Sequence, residues 1–203
     1  MKSAQAALLS LVAGASMVLM SCSSGTQITK SWADENFSAK PFKRILVVAV
    51  AKDSWIQGAF ETTLMDELAG RDVEVIRSMD VMEEKQKLTE EIFVKLVAEQ
   101  KLDAVLITRE IDRTEKDKLS YSLPPSYYGM YSYYNVAYSF TTSPAYVSQT
   151  EVFRIETNLY ETKTTRLVWS AVSESESPKK ASDIVKPLTG MVAKTLVSEG
   201  FVR

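Results

Sequence analysis

ILVVAVA, residues 45–51, is the stretch that decides the fold. It is an unbroken apolar run, rich in β-branched residues and with no polar alternate positions, so it reads as a strand buried on both faces. Strands of that kind belong to parallel sheets covered by helices, and the sequence that follows supplies the helices. Asp53 or Ser54 can cap one in which Ile56, Phe60, Leu64 and Leu68 recur every four residues, and Gly70 ends the pattern. VEVI (Val73–Ile76) reads as a second strand. Thr89 then caps a helix with Ile92, Phe93, Leu96 and Val97 on one side, and DAVLITR (Asp103–Arg109) is a third, nearly unbroken apolar strand. Strand–helix–strand–helix–strand with buried strands predicts two right-handed crossovers and a parallel start to the sheet.

Further along, the pattern changes. VFRIETNLY (Val152–Tyr160) alternates, with Phe153, Ile155 and Leu159 on one face and Arg154, Glu156 and Asn158 on the other. ETKTT makes a turn, and RLVWSAVSES answers with Leu167, Trp169 and Ala171 on one face, which together predict an antiparallel hairpin. A last helix over 182–199 buries Ile184, Val185, Leu188, Val192 and Leu196, carries Pro187 in or near its first turn, and is closed by Gly200. The expected class is therefore α/β with a mixed sheet: a β-α-β-α-β parallel start, a tyrosine-rich insertion at 121–146, the hairpin, and a C-terminal helix.

The apolar first strand, DAVLITR and the hairpin NLYETKTTRLVWSAVSES together resemble small bacterial envelope lipoproteins, whose αβ domain is like that of the curli-secretion channel lipoprotein and the penicillin-binding-protein activators. In those relatives the turn reads Asp-x-x-Thr-Gly. In this chain Glu161, Thr164 and Thr165 stand at those positions, so the turn departs from the pattern. The resemblance spans roughly Phe42 to Val202. It implies a non-enzymatic subunit or adaptor of the envelope and carries over no catalytic residue. Trp169 matches the family's hairpin tryptophan and is read as core packing.

The N-terminus, MKSAQAALLSLVAGASMVLMSC, supports an envelope address. Lys2 precedes a charge-free run, Ala4–Met20, which reads as a secretory signal rather than a membrane span because it is short and lacks a basic stop. Its end, Leu19-Met20-Ser21-Cys22, resembles a lipobox, and Cys22 is the only cysteine of the chain. The expected organisation is a lipoprotein signal peptide over 1–21, a lipidated tether over 22–42 with an edge strand around Ile28–Trp32, and one domain over 43–203. Ser23 after the cysteine resembles the outer-membrane sorting pattern, which directs the anchor to the outer membrane facing the periplasm.

Composition excludes much chemistry. Among 203 residues there is no histidine, so the usual near-neutral acid/base group is missing along with the commonest metal ligand. One cysteine allows neither an intramolecular disulfide nor a cysteine-based metal site. The seven glycines never approach the spacing of a phosphate cradle. A net charge of −2 with both signs scattered argues against nucleic acid. No serine–lysine pair stands out around Ser78, Ser120 or Ser170, and Glu110, Asp112, Glu115 and Asp117 lack the spacing of a calcium loop. No catalytic residue, cofactor or metal is expected; the first alternative to a binding or assembly module is an oligomeric secretion-channel subunit, and the second an envelope hydrolase.

Eight of the nine tyrosines lie between Tyr121 and Tyr146, stiffened by Pro124, Pro125 and Pro144. Four readings compete. The segment can pack over the domain's own sheet, where an apolar ring with a polar tip suits a half-buried site. It can be a recognition surface, with Tyr127, Tyr128, Tyr131, Tyr133 and Tyr134 as candidate partner-binding residues and Ser, Gly and Asn as adaptable neighbours. It can pair with copies of itself, because Tyr134, Val136, Tyr138 and Phe140 alternate as in a strand, or it can stack on glycan rings. The expected partners are the membrane through Cys22 and another envelope protein or peptidoglycan, with a homo-oligomer as a further option and no nucleic acid.

Overall fold

The computed structural model describes residues 25–37, 41–83, 86–111, 129–142, 152–176, 178 and 180–203. Cys22, Tyr127 and Tyr128 lie outside them, as do the signal segment and most of the insertion. The described chain runs β1 (Thr26–Ala33), β2 (Arg44–Val50), α1 (Ser54–Glu67), β3 (Glu74–Arg77), α2 (Ser78–Val81), α3 (Glu90–Gln100), β4 (Ala104–Ile111), α4 (Met130–Thr142), β5 (Val152–Glu161), β6 (Leu167–Glu176) and α5 (Ser182–Ser198).

The six strands form one mixed sheet in the order β1-β6-β5-β4-β2-β3. β2 is parallel to both β3 and β4, and the pairs β4–β5, β5–β6 and β6–β1 are antiparallel. The α/β class is thus a mixed sheet, with the ILVVAVA strand flanked on both sides in its parallel half. Ile45, Leu46, Val47 and Val48 are each at most 3% exposed, as a strand covered on both faces requires. Residues 26–33, where the sequence offers only an edge strand within a polar tether, form the outermost strand β1.

Helix ends follow local chemistry. Asp53 caps α1 through its backbone: its carbonyl accepts from the N–H of Ile56 and Gln57. The Thr89 side chain accepts from the Ile92 N–H at 3.3 Å, the side-chain cap read in the sequence. Gly70 and Gly200 take the left-handed φ values (+77° and +79°) that end α1 and α5.

Each face of the sheet has its own hydrophobic layer. Ile45, Val47, Ala49, Leu106, Leu159 and Trp169 face α1 and α5, whose Phe60, Leu64, Leu188 and Val192 complete the first layer. Leu46, Val48, Val105, Ile107 and Tyr160 face the other way, toward Phe93 and Leu96 of α3 and Met130, Tyr133 and Tyr134 of α4. Leu167, expected beside Trp169, belongs to the second layer instead. The ladder slips between Leu159 and Tyr160, which sets Leu159 against Trp169 and Tyr160 against Leu167, and the slip turns Leu167 to the other face.

Candidate functional site

The candidate site is the second face of the sheet where α4 lies on it. Residues 130–142 are helical, which corrects the strand-like reading of Tyr134, Val136, Tyr138 and Phe140. Met130, Tyr133, Tyr134 and Ala137 recur at helical spacing and are the buried residues of α4. Burial of that stripe outweighs the strand propensity of tyrosine.

Three tyrosines fix α4 in place. The Tyr134 hydroxyl accepts from the Leu88 N–H at 3.0 Å. Tyr131 meets Phe93 edge-to-face with ring centroids 5.2 Å apart, and Tyr138 has the Lys87 ammonium 5.7 Å from its ring centroid. These contacts tie α4 to α3 and to the residues that lead into it. Tyr133 lies deepest, 6.0 Å from Tyr160 and with the Arg109 guanidinium 5.2 Å from its ring centroid. Its hydroxyl is buried close to that guanidinium but makes no hydrogen bond of good geometry. Of the candidate partner-binding residues, then, Tyr133 and Tyr134 face the core as placed, and Tyr131 is half-buried at the margin.

Beyond the tyrosines the face turns ionic. Arg109 of β4 stands opposite Glu156 of β5, with Nη2 and Nε 3.2 and 3.3 Å from Oε2. Arg154 of β5 stands opposite Glu174 of β6, with Nε 2.9 Å from Oε1. Directly opposed partners of opposite sign are favourable cross-strand pairs. Arg109 is only 3% exposed, so removing its carboxylate would strand a buried charge. Sequence alternation puts Arg154, Glu156 and Asn158 on one polar face. It does not reveal that α4 returns near that face and that Asn158 is buried.

Burial, reinforced by the Glu156 carboxylate, pushes the Tyr133 phenol well above its ordinary value, and the same two causes raise Tyr160. Burial also raises Tyr134, against the opposing hydrogen bond from Leu88. Each phenol therefore keeps its proton, so its hydroxyl can donate as well as accept.

A second buried carboxylate, unremarked by the sequence reading, lies on the opposite face. Glu61 of α1 is 0% exposed and accepts from the Ser78 hydroxyl (2.6 Å), the Ala49 and Met79 N–H groups (3.1 Å each) and the Gln57 amide (3.1 Å). Burial raises its pKa despite these four donors. It ties α1 to the ends of β2 and β3. Ser78, 1% exposed, is engaged in the same cluster. Among the described residues no group of acidic, histidine or cysteine side chains is arranged to hold a metal, and no helix is long and apolar enough to cross a membrane. Glu110 is exposed; Asp112, Glu115, Asp117 and Ser120 lie outside the described residues.

No protein-family model matches the chain, and no curated protein matches it. Among solved structures the chain is similar to the PelC dodecamer from Paraburkholderia phytofirmans, at 14% identity, a TM-score of 0.41, and coverage of 82% of this chain and 93% of that one. A variant PelC dodecamer from the same organism matches at 13% identity and a TM-score of 0.41, covering 84% and 94% of the two chains. A likeness this loose carries no argument about what the chain does.

Proposed function

We propose that the chain is an envelope lipoprotein, anchored through lipidated Cys22 in the outer membrane on its periplasmic side, whose α/β domain is a non-enzymatic binding or assembly module. The observation that carries the binding role is the outward side of α4. Tyr133 and Tyr134 hold the helix to the sheet, while Ser132, Asn135, Val136 and Ser139 face away from it, flanked by the half-buried rings of Tyr131 and Tyr138. Val136 is 40% exposed. Small adaptable polar groups beside tyrosine rings are the chemistry of recognition surfaces. The buried ionisable groups of this face, meanwhile, are engaged with one another, which suits a scaffold better than a reaction centre. The partner proposed is another envelope protein or peptidoglycan.

The test places a photo-crosslinking residue at Val136 in intact cells, with Val94, 58% exposed on α3, as the control position. One defined product from 136 and none from 94, lost when the exposed Asn135→Arg is added while the melt is kept, is the expected result. Digestion with a muramidase tells glycan from protein, and a product of two copies of the chain would make it a homo-oligomer. No product specific to 136 would sink the binding surface. Cys22→Ser should leave the chain unlipidated; a mature-size, membrane-fractionating Cys22→Ser chain without acyl label would sink the anchor.

A further inference from the structure

The topology assigns one end of the sheet to the membrane. β2, β3 and β4 are parallel, and β5, β6 and β1 follow antiparallel in turn, so the C-terminal ends of β2, β4 and β6 share an edge with the N-terminal ends of β1 and β5. At that edge stand Val50, Ile111, Val152, Glu176 and Thr26. The Glu176 N–H donates to the Gly25 carbonyl at 2.9 Å, which fixes Gly25 there too. Gly25 is three residues after Cys22, and three extended residues reach at most about 11 Å. An acyl anchor on Cys22 would therefore hold the Gly25 end of this edge close to the bilayer.

The same edge carries an exposed apolar surface. α1 begins just beyond the end of β2, and its second residue, Trp55, is 60% exposed, the most of any large apolar side chain among the described residues. One turn further on, a Cβ at Gly58 would meet the Met79 thioether at 3.4 Å, so Met79, itself 47% exposed, lies beside this turn. Phe153, 38% exposed, follows the first residue of β5 at the same end. From β1 to β2 is four strand spacings, or about 19 Å across the sheet, so tether and indole can touch one plane together. Among the described residues the charges of the edge are four acidic (Asp53, Glu110, Glu176 and Asp183) and two basic (Lys52 and Lys180), so no basic patch draws it to lipid and the aromatic and thioether groups are left to provide affinity. Indole is the side chain that favours the headgroup layer.

We infer that this edge is a lipid-docking surface, with Trp55 seated in the interfacial layer of the bilayer that holds the anchor. The inference rests on the anchoring of Cys22 proposed above. Because Cys22 is the only cysteine, the mature chain beginning at Cys22 can be coupled through it to a maleimide lipid in phosphatidylethanolamine–phosphatidylglycerol vesicles, which restores the short tether without cellular acylation. Lipids brominated near the headgroup should quench the Trp55 share of the emission and shift the remainder little. Trp55→Phe, which changes an exposed side chain and should melt unchanged, should lose nearly all of that quenching, since Trp169 is buried and Trp32 lies well away from the edge. Raising the salt should not reverse it. Equal quenching of both chains, or none in either, overturns the inference. Mass spectrometry of Cys22 from cells is read separately: absence of an acyl mass sinks the anchoring proposal whatever the vesicles show.

Discussion

The two faces of the sheet bury similar backbone and use it differently. Toward α1 and α5 the strands present Ile45, Val47, Leu106, Leu159 and Trp169, and the two helices pack on one another above them. Toward α3 and α4 they present Leu46, Val48, Val105 and Ile107, and beside these the ion pairs Arg109–Glu156 and Arg154–Glu174, with tyrosines laid across. The first face draws its stability mainly from non-directional burial, which tolerates little truncation. The second has buried charge that is stable only while each group keeps its opposite number, and it is covered by a helix whose outer side is exposed. The Arg109 guanidinium, 3% exposed, costs desolvation that its pairing with Glu156 must offset, so this face adds less stability for the same burial.

The largest expected effect breaks the first face. Trp169→Ala removes a side chain 1% exposed at the centre of that layer and should cost about 3–5 kcal/mol, enough to unfold much of the population. Tyr131→Ala, at the margin of the second face, loses one edge-to-face contact and part of its burial, and should cost about 1–2 kcal/mol. Urea titrations of the two variants test the contrast; equal losses would show that α4 is as central to stability as the first layer.

The first face was the legible one. Its apolar runs, the four-residue spacing from Ile56 to Leu68 and the two closing glycines are local signals, each strong enough to fix an element on its own. What escaped depended on contacts distant in sequence. Residues 130–142 satisfy both templates: Tyr134, Val136 and Tyr138 alternate, while Met130, Tyr133, Tyr134 and Ala137 recur at helical spacing. Only packing on α3 and the sheet chooses the helix. Alternation likewise told which residues share a face with Glu156, but not whether that face is covered. The bulge that turned Leu167 over left no mark in the pattern.

A smaller effect, of opposite sign, belongs to neither face. Thr165, in the turn joining β5 to β6, has a φ of 56°. It stands where the resembling lipoproteins carry glycine, and left-handed backbone is unfavourable for a β-branched residue by about 1–2 kcal/mol. Within the same turn Glu161 accepts from the Thr164 hydroxyl at 2.5 Å. Glycine also gains entropy in the unfolded chain, which offsets part of the relief, and Thr165→Gly should raise stability by roughly 0.5–1 kcal/mol. Because it touches neither layer, the gain should add unchanged to the loss in Tyr131→Ala. A thermal melt lower than the parent's would mean the turn holds Thr165 by a contact worth more than its strain.

The smallest effect is the most discriminating for the second face. Tyr133 is 5% exposed, and its ring packs on Tyr160 and beneath the Arg109 guanidinium, while its hydroxyl is buried without a well-formed hydrogen bond. If the ring alone matters, Tyr133→Phe keeps the packing, keeps the cation–π contact and removes a buried hydroxyl that gains little, so stability should stay within about 0.5 kcal/mol of the parent or rise. In the apolar layer of the first face, where Leu64, Leu106 and Trp169 meet, removing even a small group leaves a cavity, so no truncation there should be silent. A loss of more than about 1 kcal/mol would show that the hydroxyl is bonded in solution, through water or to Arg109 directly. The second face would then be a connected polar network, with α4 held by hydrogen bonds as much as by its rings. The urea midpoint of Tyr133→Phe, measured beside that of Tyr131→Ala, decides which of the two holds α4 down.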